Sequence, residues 1–189
     1  MLIGVPKETK ERERRVALTP DVTAQLVKAG FEVAIEKGAG LSSYFTDEAY
    51  TAAGASLSGS ASDIYGKSDV VLKVNAPQPT EVAQMKKDAV LISFMWAATS
   101  AAVVEACASA GISAFSMDAV PRISRAQKMD ALSSQANLAG YKSVIMAADA
   151  LGKIFPLLMT AAGTLKPSRV VIMGAGVAGL QAIATAKRL

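Results

Sequence analysis

The run Gly174, Ala175, Gly176, Val177, Ala178, Gly179 has the spacing G-x-G-x-x-G. It follows RVVIM (169–173), an apolar stretch of strand type, and it opens LQAIATAKRL (180–189), which reads as a helix. In that setting the first glycine permits a tight turn. The second lets the backbone approach a pyrophosphate, and the third lets helix and strand pack closely. The amides at the helix start then face the phosphates. In a chain with 14 glycines the pattern alone says little, and a glycine-rich turn with no ligand is the competing reading. The strand-turn-helix context favours a dinucleotide. The acidic residue that separates NAD from NADP falls about 20 residues further on, past Leu189, so the motif does not choose between them.

A second segment stands out by its polarity. Residues 121–134, PRISRAQKMDALSS, carry Arg122, Arg125, Gln127, Lys128 and Asp130 between apolar neighbours. Read from the residues alone, Arg122 and Asp130 suggest a surface ion pair, and Asp130 a cap on the helix that follows. Histidine is absent from the chain, so the usual proton carrier near neutral pH is missing. The one cysteine, Cys107, lies in an alanine-rich apolar stretch and reads as a small core residue rather than a reactive thiol. No metal site is expected.

The elements that must position these groups alternate between strand and helix. Strands are predicted at 2–5, 31–35, 70–74, 89–94 and 112–115. VVLKV (70–74) is nearly continuous in apolar character, as in a parallel strand covered on both faces. Thr19, Pro20 and Asp21 mark a helix start, with Thr19 as N-cap and Gly30 as a stop. Val22, Leu26 and Val27 form its apolar face. Further helices are expected at 46–53 and 101–110. A long helical region is expected from about Ser134 to Thr160, interrupted near Gly152, with Leu138, Tyr141, Val144 and Ile145 at helical spacing. The repeated βα units predict an α/β fold of two Rossmann-like, doubly wound parallel-sheet domains joined by a long helix, the second domain truncated. The expected boundaries are 1–125 for the first domain, 126–165 for the connecting loop and helix, and 166–189 for the start of the dinucleotide-binding domain.

The chain has 189 residues, 51% of them hydrophobic and 19% charged, which supports a buried core and excludes wholesale disorder. The net charge of +4 is scattered apart from KETKERERR (7–15), a run that reads as a solvated surface, and nucleic acid is not expected as a partner. No secretory signal and no membrane-spanning run of about 20 apolar residues is recognisable. The chain is expected to be soluble and cytoplasmic, with docking on a membrane partner left open.

VPKETKERERRVALTP (5–20) is similar to the N-terminal signature shared by alanine dehydrogenases and the alpha subunit of proton-translocating NAD(P) transhydrogenases. PRISRAQKMDALSSQANLAGYKSV, TAAGT and GAGVAGLQAIATAKRL resemble the transhydrogenase branch, and the resemblance runs along essentially the whole chain. It implies an NAD(H)-binding component that passes hydride between NADH and NADP. NADP(H) would lie on a second component, and a membrane-spanning component would conduct protons. It also implies a homodimer, peripheral at the cytoplasmic side of the inner membrane. By matching the family's polar loop, it implies Arg122, Gln127, Asp130 and Ser133 as the residues around the nicotinamide. Their chemistry suits that role: Arg for a bidentate grip on an anion, Gln as donor and acceptor for a carboxamide, and Asp and Ser to complete the hydrogen bonding.

The alanine dehydrogenase branch resembles a family with an Arg, a Lys and a His at its substrate. Arg15 and Lys73 match the first two, but Trp96 falls near where the histidine would stand. On the transhydrogenase reading Arg15 and Lys73 are structural charges, expected to pair with Glu8 or Asp69. An NAD-dependent amino-acid oxidoreductase and a truncated, non-catalytic module are the competing functions.

Overall fold

The computed structural model describes all 189 residues, which form two compact units, Met1–Val120 and Pro121–Leu189. The first unit is built on a six-stranded sheet: β1 (Leu2–Val5), β2 (Glu32–Glu36), β3 (Ser56–Ser58), β4 (Val70–Asn75), β5 (Val90–Phe94) and β6 (Ser113–Ser116). The order is β3-β2-β1-β4-β5-β6, and every pair is parallel. This is the doubly wound sheet that the alternation of elements predicts. The order reverses direction between β1 and β4, the place where such sheets open a crevice at their carboxyl ends.

Helices α1 (Pro20–Lys28) and α2 (Asp47–Ala52) cover a core of Val5, Val33, Ile35 and Tyr50. Helices α3 (Ala61–Lys67), α4 (Pro79–Val82) and α5 (Ala101–Ala110) cover a second core of Tyr65, Val71, Val82, Leu91 and Cys107. Thr19 caps α1 as expected, its hydroxyl accepting from the Val22 amide, and Gly30 adopts φ +92 just past the helix end. Leu26 and Val27 of the expected apolar face of α1 pack against the first of these cores, but the third position of that face does not. Val22 is 41% exposed, whereas Thr23 is fully buried, its hydroxyl donating to the Thr19 carbonyl at 2.9 Å. That internal bond lets a polar side chain take an inward position. β3 and α3 lie in SLSGSASDIYGK, a stretch too polar to show apolar periodicity. β3 is an edge strand held by β2, and α3 starts at Ser60, which caps the Asp63 amide at 3.2 Å.

The second unit holds a six-residue 3-10 segment (Ser124–Met129), α6 (Ala131–Ala150), a hairpin of β7 (Leu158–Thr160) and β8 (Gly163–Leu165), and α7 (Val177–Ala186). The helical region expected to reach Thr160 breaks near Gly152 as expected, α6 ending at Ala150, but it does not resume, and the segment 158–165 is a hairpin instead. Gly152 and Pro156 interrupt the helical run, and Gly163, at φ +133, closes the two-residue turn. Of the apolar positions at helical spacing in α6, Val144 is buried and Ile145 partly buried, while Leu138 and Tyr141 are 62% and 51% exposed. The expected strand 169–173 pairs with none of the eight strands, and Val171 and Met173 are exposed. An apolar run becomes a strand only where a neighbour takes up its amides and carbonyls.

Candidate functional site

The glycine run forms a turn leading into α7. Gly174 sits at φ +101, a region L side chains rarely adopt, and Gly176 is the last residue before the helix. A Cβ added at either position would meet nothing within 4 Å, so this side of the turn is open to an approaching group. Gly179 differs, since a Cβ there would press on the Gly174 carbonyl, whose carbon would lie 2.9 Å away. The third glycine thus closes the turn on itself. No side chain caps α7, which leaves the amides of its first turn as donors at the positive end of a helix.

The polar loop meets this turn. Asp130 caps α6, its carboxylate accepting from the Ser133 amide at 2.9 Å and the Ser133 hydroxyl at 2.6 Å. The Ser133 side-chain hydrogen bond, with the backbone bond and the Arg122 charge adding to it, holds the Asp130 carboxyl below its ordinary range. No salt bridge joins Arg122 to Asp130. The aspartate is spent on the cap, so the expected surface ion pair does not form.

A cleft of about 350 Å³ is lined by Arg122, Leu132, Ser133 and Ala136 on one side and by Met173, Gly174 and Gly176 to Gly179 on the other. Arg122 also lines a second depression of about 280 Å³, with Ile123, Ser124, Gln127 and Asp130. Arg122 and Ser133 therefore share a cleft with the glycine turn, while Gln127 and Asp130 share the adjoining depression. Ala175 lines neither. Leu132, Ala136 and Met173 line the cleft without having been singled out in the sequence. The spacing of 132, 133 and 136 along one side of α6 is the signal that could have found the two helical ones.

A separate cleft of about 430 Å³ opens in the first unit, at the sheet's switch point. It is lined among others by Glu8 after β1, Lys73 and Asn75 of β4, Glu81 of α4 and Trp96 after β5. Its buried Lys73 and its Glu8 and Glu81 are matched internally. The Lys73 ammonium, on a side chain 2% exposed, donates to Glu81 and to the Tyr65 hydroxyl, both at 3.2 Å. Burial first, and then the neighbouring Glu81, push the Tyr65 phenol above its ordinary range. Burial would raise the Glu81 carboxyl, but hydrogen bonds from Tyr65, the Gln78 amide and Lys73 outweigh it and leave it lowered. Glu8 accepts from the Val74 amide at 2.6 Å and from the Asn75 side chain at 3.1 Å. Those amides lie where β4 slips register against β5, so the carboxylate serves groups the ladder leaves out.

Arg15 is bound to Glu13 through Nε at 2.8 Å and Nη2 at 2.6 Å. Of the expected partners, Glu8 acts on Arg15 through its charge, whereas Asp69 accepts from Lys86 at 2.5 Å and from the Leu2 amide at 2.8 Å. Trp96, at φ +49 and half-exposed, stacks on Phe94 and donates its amide to Asp118 at 3.1 Å. No helix in the chain is long and apolar enough to cross a membrane.

A six-stranded, doubly wound parallel sheet defines the first unit as an α/β protein of the Rossmann-like type, and the second unit carries an uncapped helix opening from a glycine turn beside a polar loop. More particularly, the chain belongs to the alanine dehydrogenase/PNT family. Residues 4–139 match its N-terminal domain and residues 143–189 its C-terminal domain. Over its whole length the chain is 51% identical to an NAD(P) transhydrogenase alpha-subunit chain of Rhodospirillum rubrum, of which it spans 50%. It is 49% identical to NAD(P) transhydrogenase subunit alpha of Cereibacter sphaeroides, again over its whole length, and spans 36% of that protein. A solved transhydrogenase structure from Sinorhizobium meliloti superposes on the whole chain with a TM-score of 0.95 at 45% identity, and the match spans 54% of that structure. An L-alanine dehydrogenase structure superposes with a TM-score of 0.86 at 35% identity, with 52% of that structure spanned.

Proposed function

We propose that this chain is the NAD(H)-binding part of an NAD(P) transhydrogenase. In this reading hydride passes between NADH here and NADP⁺ on a partner component, coupled to proton translocation through a membrane component. One observation carries the reading: the cleft between the glycine turn and the Arg122–Ser133 side of the polar loop. The greater identity to transhydrogenases than to alanine dehydrogenase supports it.

The residues fit the cofactor. Gly174 and Gly176 leave an open backbone face, and the first-turn amides of α7 offer donors to a pyrophosphate. Arg122 lies between that cleft and the depression holding Gln127 and Asp130, where a ring amide finds both donor and acceptor. When bound, NADH supplies the hydride. The chain's own residues bind and orient, which is positioning rather than proton transfer. A chain without histidine suits that division. Residues 166–189 then form the start of the NAD(H)-binding domain, following an N-terminal domain. The proposed assembly is a homodimer, peripheral at the cytoplasmic side of the inner membrane through its NADP(H)-binding and membrane-spanning partners. Titration with NADH and NADPH, followed by nucleotide fluorescence, tests the reading: preference for NADH supports it and preference for NADPH refutes it. Arg122→Ala is expected to weaken hydride transfer with the fold intact, and unchanged rates remove Arg122 from the site.

A further inference from the structure

Residues 132, 133 and 136 form the α6 wall of the cleft, and Gly140 lies one turn further along the same side of the helix. Gly140 is buried, and it is where α6 meets the first turn of α7. A Cβ at Gly140 would fall well inside contact distance of the Ala178 carbonyl oxygen, with the Ala178 carbonyl carbon at 2.9 Å and its Cα at 3.0 Å. All three atoms are backbone, so no side chain can swing away to relieve the overlap. The contact of Gly140 with Ala178 is thus the apex of the gap between α6 and the glycine turn, and the cleft lined by Ser133, Arg122 and that turn lies beside it. Seven residues separate Ser133 from Gly140, about 10 Å of helix.

We infer that Gly140 is a positioning residue that sets the width of the nucleotide cleft. It touches no ligand. Its missing side chain lets α6 close on the helix start whose amides face the cofactor. A methyl group at the apex drives the Ala178 carbonyl back by about 1 Å to reach ordinary contact separation, and it moves the glycine turn away from Ser133. This inference rests on the function proposed above, but it makes a claim about geometry that is testable without it.

The test is Gly140→Ala in the full chain, with Gly152→Ala as control, because a Cβ at Gly152 meets nothing within 4 Å. Two readouts are taken. NADH affinity in Gly140→Ala is expected to fall by about tenfold or more, as misplacement on the scale of an ångström does in binding sites. The amide resonances of Gly174, Gly176, Gly179 and Ser133 are expected to shift, while those of the first unit stay in place. Wild-type affinity, or a variant whose melting temperature drops while the turn resonances hold still, overturns the inference. If the unmodified chain fails to bind NADH, the functional reading falls, and the resonance shifts still decide the role of Gly140. Where Gly140→Ala does not fold, hydrogen exchange on the unmodified chain decides. Amides around Gly140 are expected to be protected before nucleotide is added, and an apex that gains protection only with NADH overturns the inference.

Discussion

Glu13 offers a quantitative test of how the first unit is held together. Its carboxylate takes two hydrogen bonds from the Arg15 guanidinium, another from the Arg15 amide at 2.9 Å and one from the Asn75 side chain at 3.0 Å. Asn75 also binds Glu8, so the group ties the loop after β1 to the end of β4. The Arg15 side chain is the largest influence on the carboxyl, which is lowered from 4.5 to about 2. A carboxyl depressed in the folded state stabilises above its unfolded value, and that contribution disappears as pH falls through the folded value. The window therefore runs from 4.5 down to about 2. At about 1.4 kcal/mol per pH unit the full difference is about 3 kcal/mol. The Glu13 side chain is 9% exposed but that of Arg15 is 46%, so solvent screening reduces the expected contribution to about 1–2 kcal/mol.

Glu13→Gln should therefore be less stable than the unaltered chain by that amount at pH 7, with less than half of the difference left near pH 3. The assay is urea unfolding followed by tryptophan fluorescence. The one tryptophan, Trp96, lies in the same unit as Glu13, so the signal reports on that unit directly. A difference that stays constant between pH 7 and pH 3, or no difference at pH 7, would refute the assignment of the low carboxyl to the Arg15 contact.

Three further outcomes are expected. Ser68→Ala removes a buried hydroxyl that has no hydrogen-bond partner, so urea unfolding should show stability unchanged or raised by about 1 kcal/mol. Gly4→Ala places a Cβ 2.7 Å from Ile64 Cγ2 and 2.9 Å from Ser68 Cβ, and the crowding should cost about 1–3 kcal/mol in the same assay. Glu81→Ala leaves the buried Lys73 ammonium without its carboxylate, and a loss of about 3–5 kcal/mol is expected, measured by thermal or urea melts.

The sequence was readable where local chemistry decides structure. Thr19, Pro20 and Asp21 start α1 because the cap and the ring act within one turn, and VVLKV becomes β4 because its apolar run suits a strand buried on both faces. Asp130 was readable as a cap for the same reason, since a cap acts within three residues, whereas Ser133 came from the family resemblance. What escaped is decided by distant partners. SLS is a strand only because β2 lies beside it, and RVVIM is none because nothing does. Lys73 finds Glu81 and Tyr65 from segments with no strong local pattern, and no local rule names them in advance. In the second unit the glycine turn could be read but its neighbour could not, because the Gly140 contact with Ala178 joins elements far apart in the chain.

The two units treat their polar groups in opposite ways, and this bears on where chemistry resides. In the first unit three charges at the carboxyl end of the sheet are satisfied from within: Lys73 by Glu81, Arg15 by Glu13, and Glu8 by the amides of Val74 and Asn75. A ligand entering that cleft would have to displace buried hydrogen bonds, at a penalty of about 1–3 kcal/mol for each group left unpaired. In the second unit Arg122 forms no salt bridge, α7 has no side-chain cap, and the glycine turn presents bare backbone. Donors without protein acceptors gain most from a ligand that brings its own oxygens, such as a pyrophosphate. The open donors suit a dinucleotide on either reading, but Lys73 and Arg15, which would grip a small amino acid or keto acid, are engaged in structure, and this favours the transhydrogenase reading over the alanine dehydrogenase one.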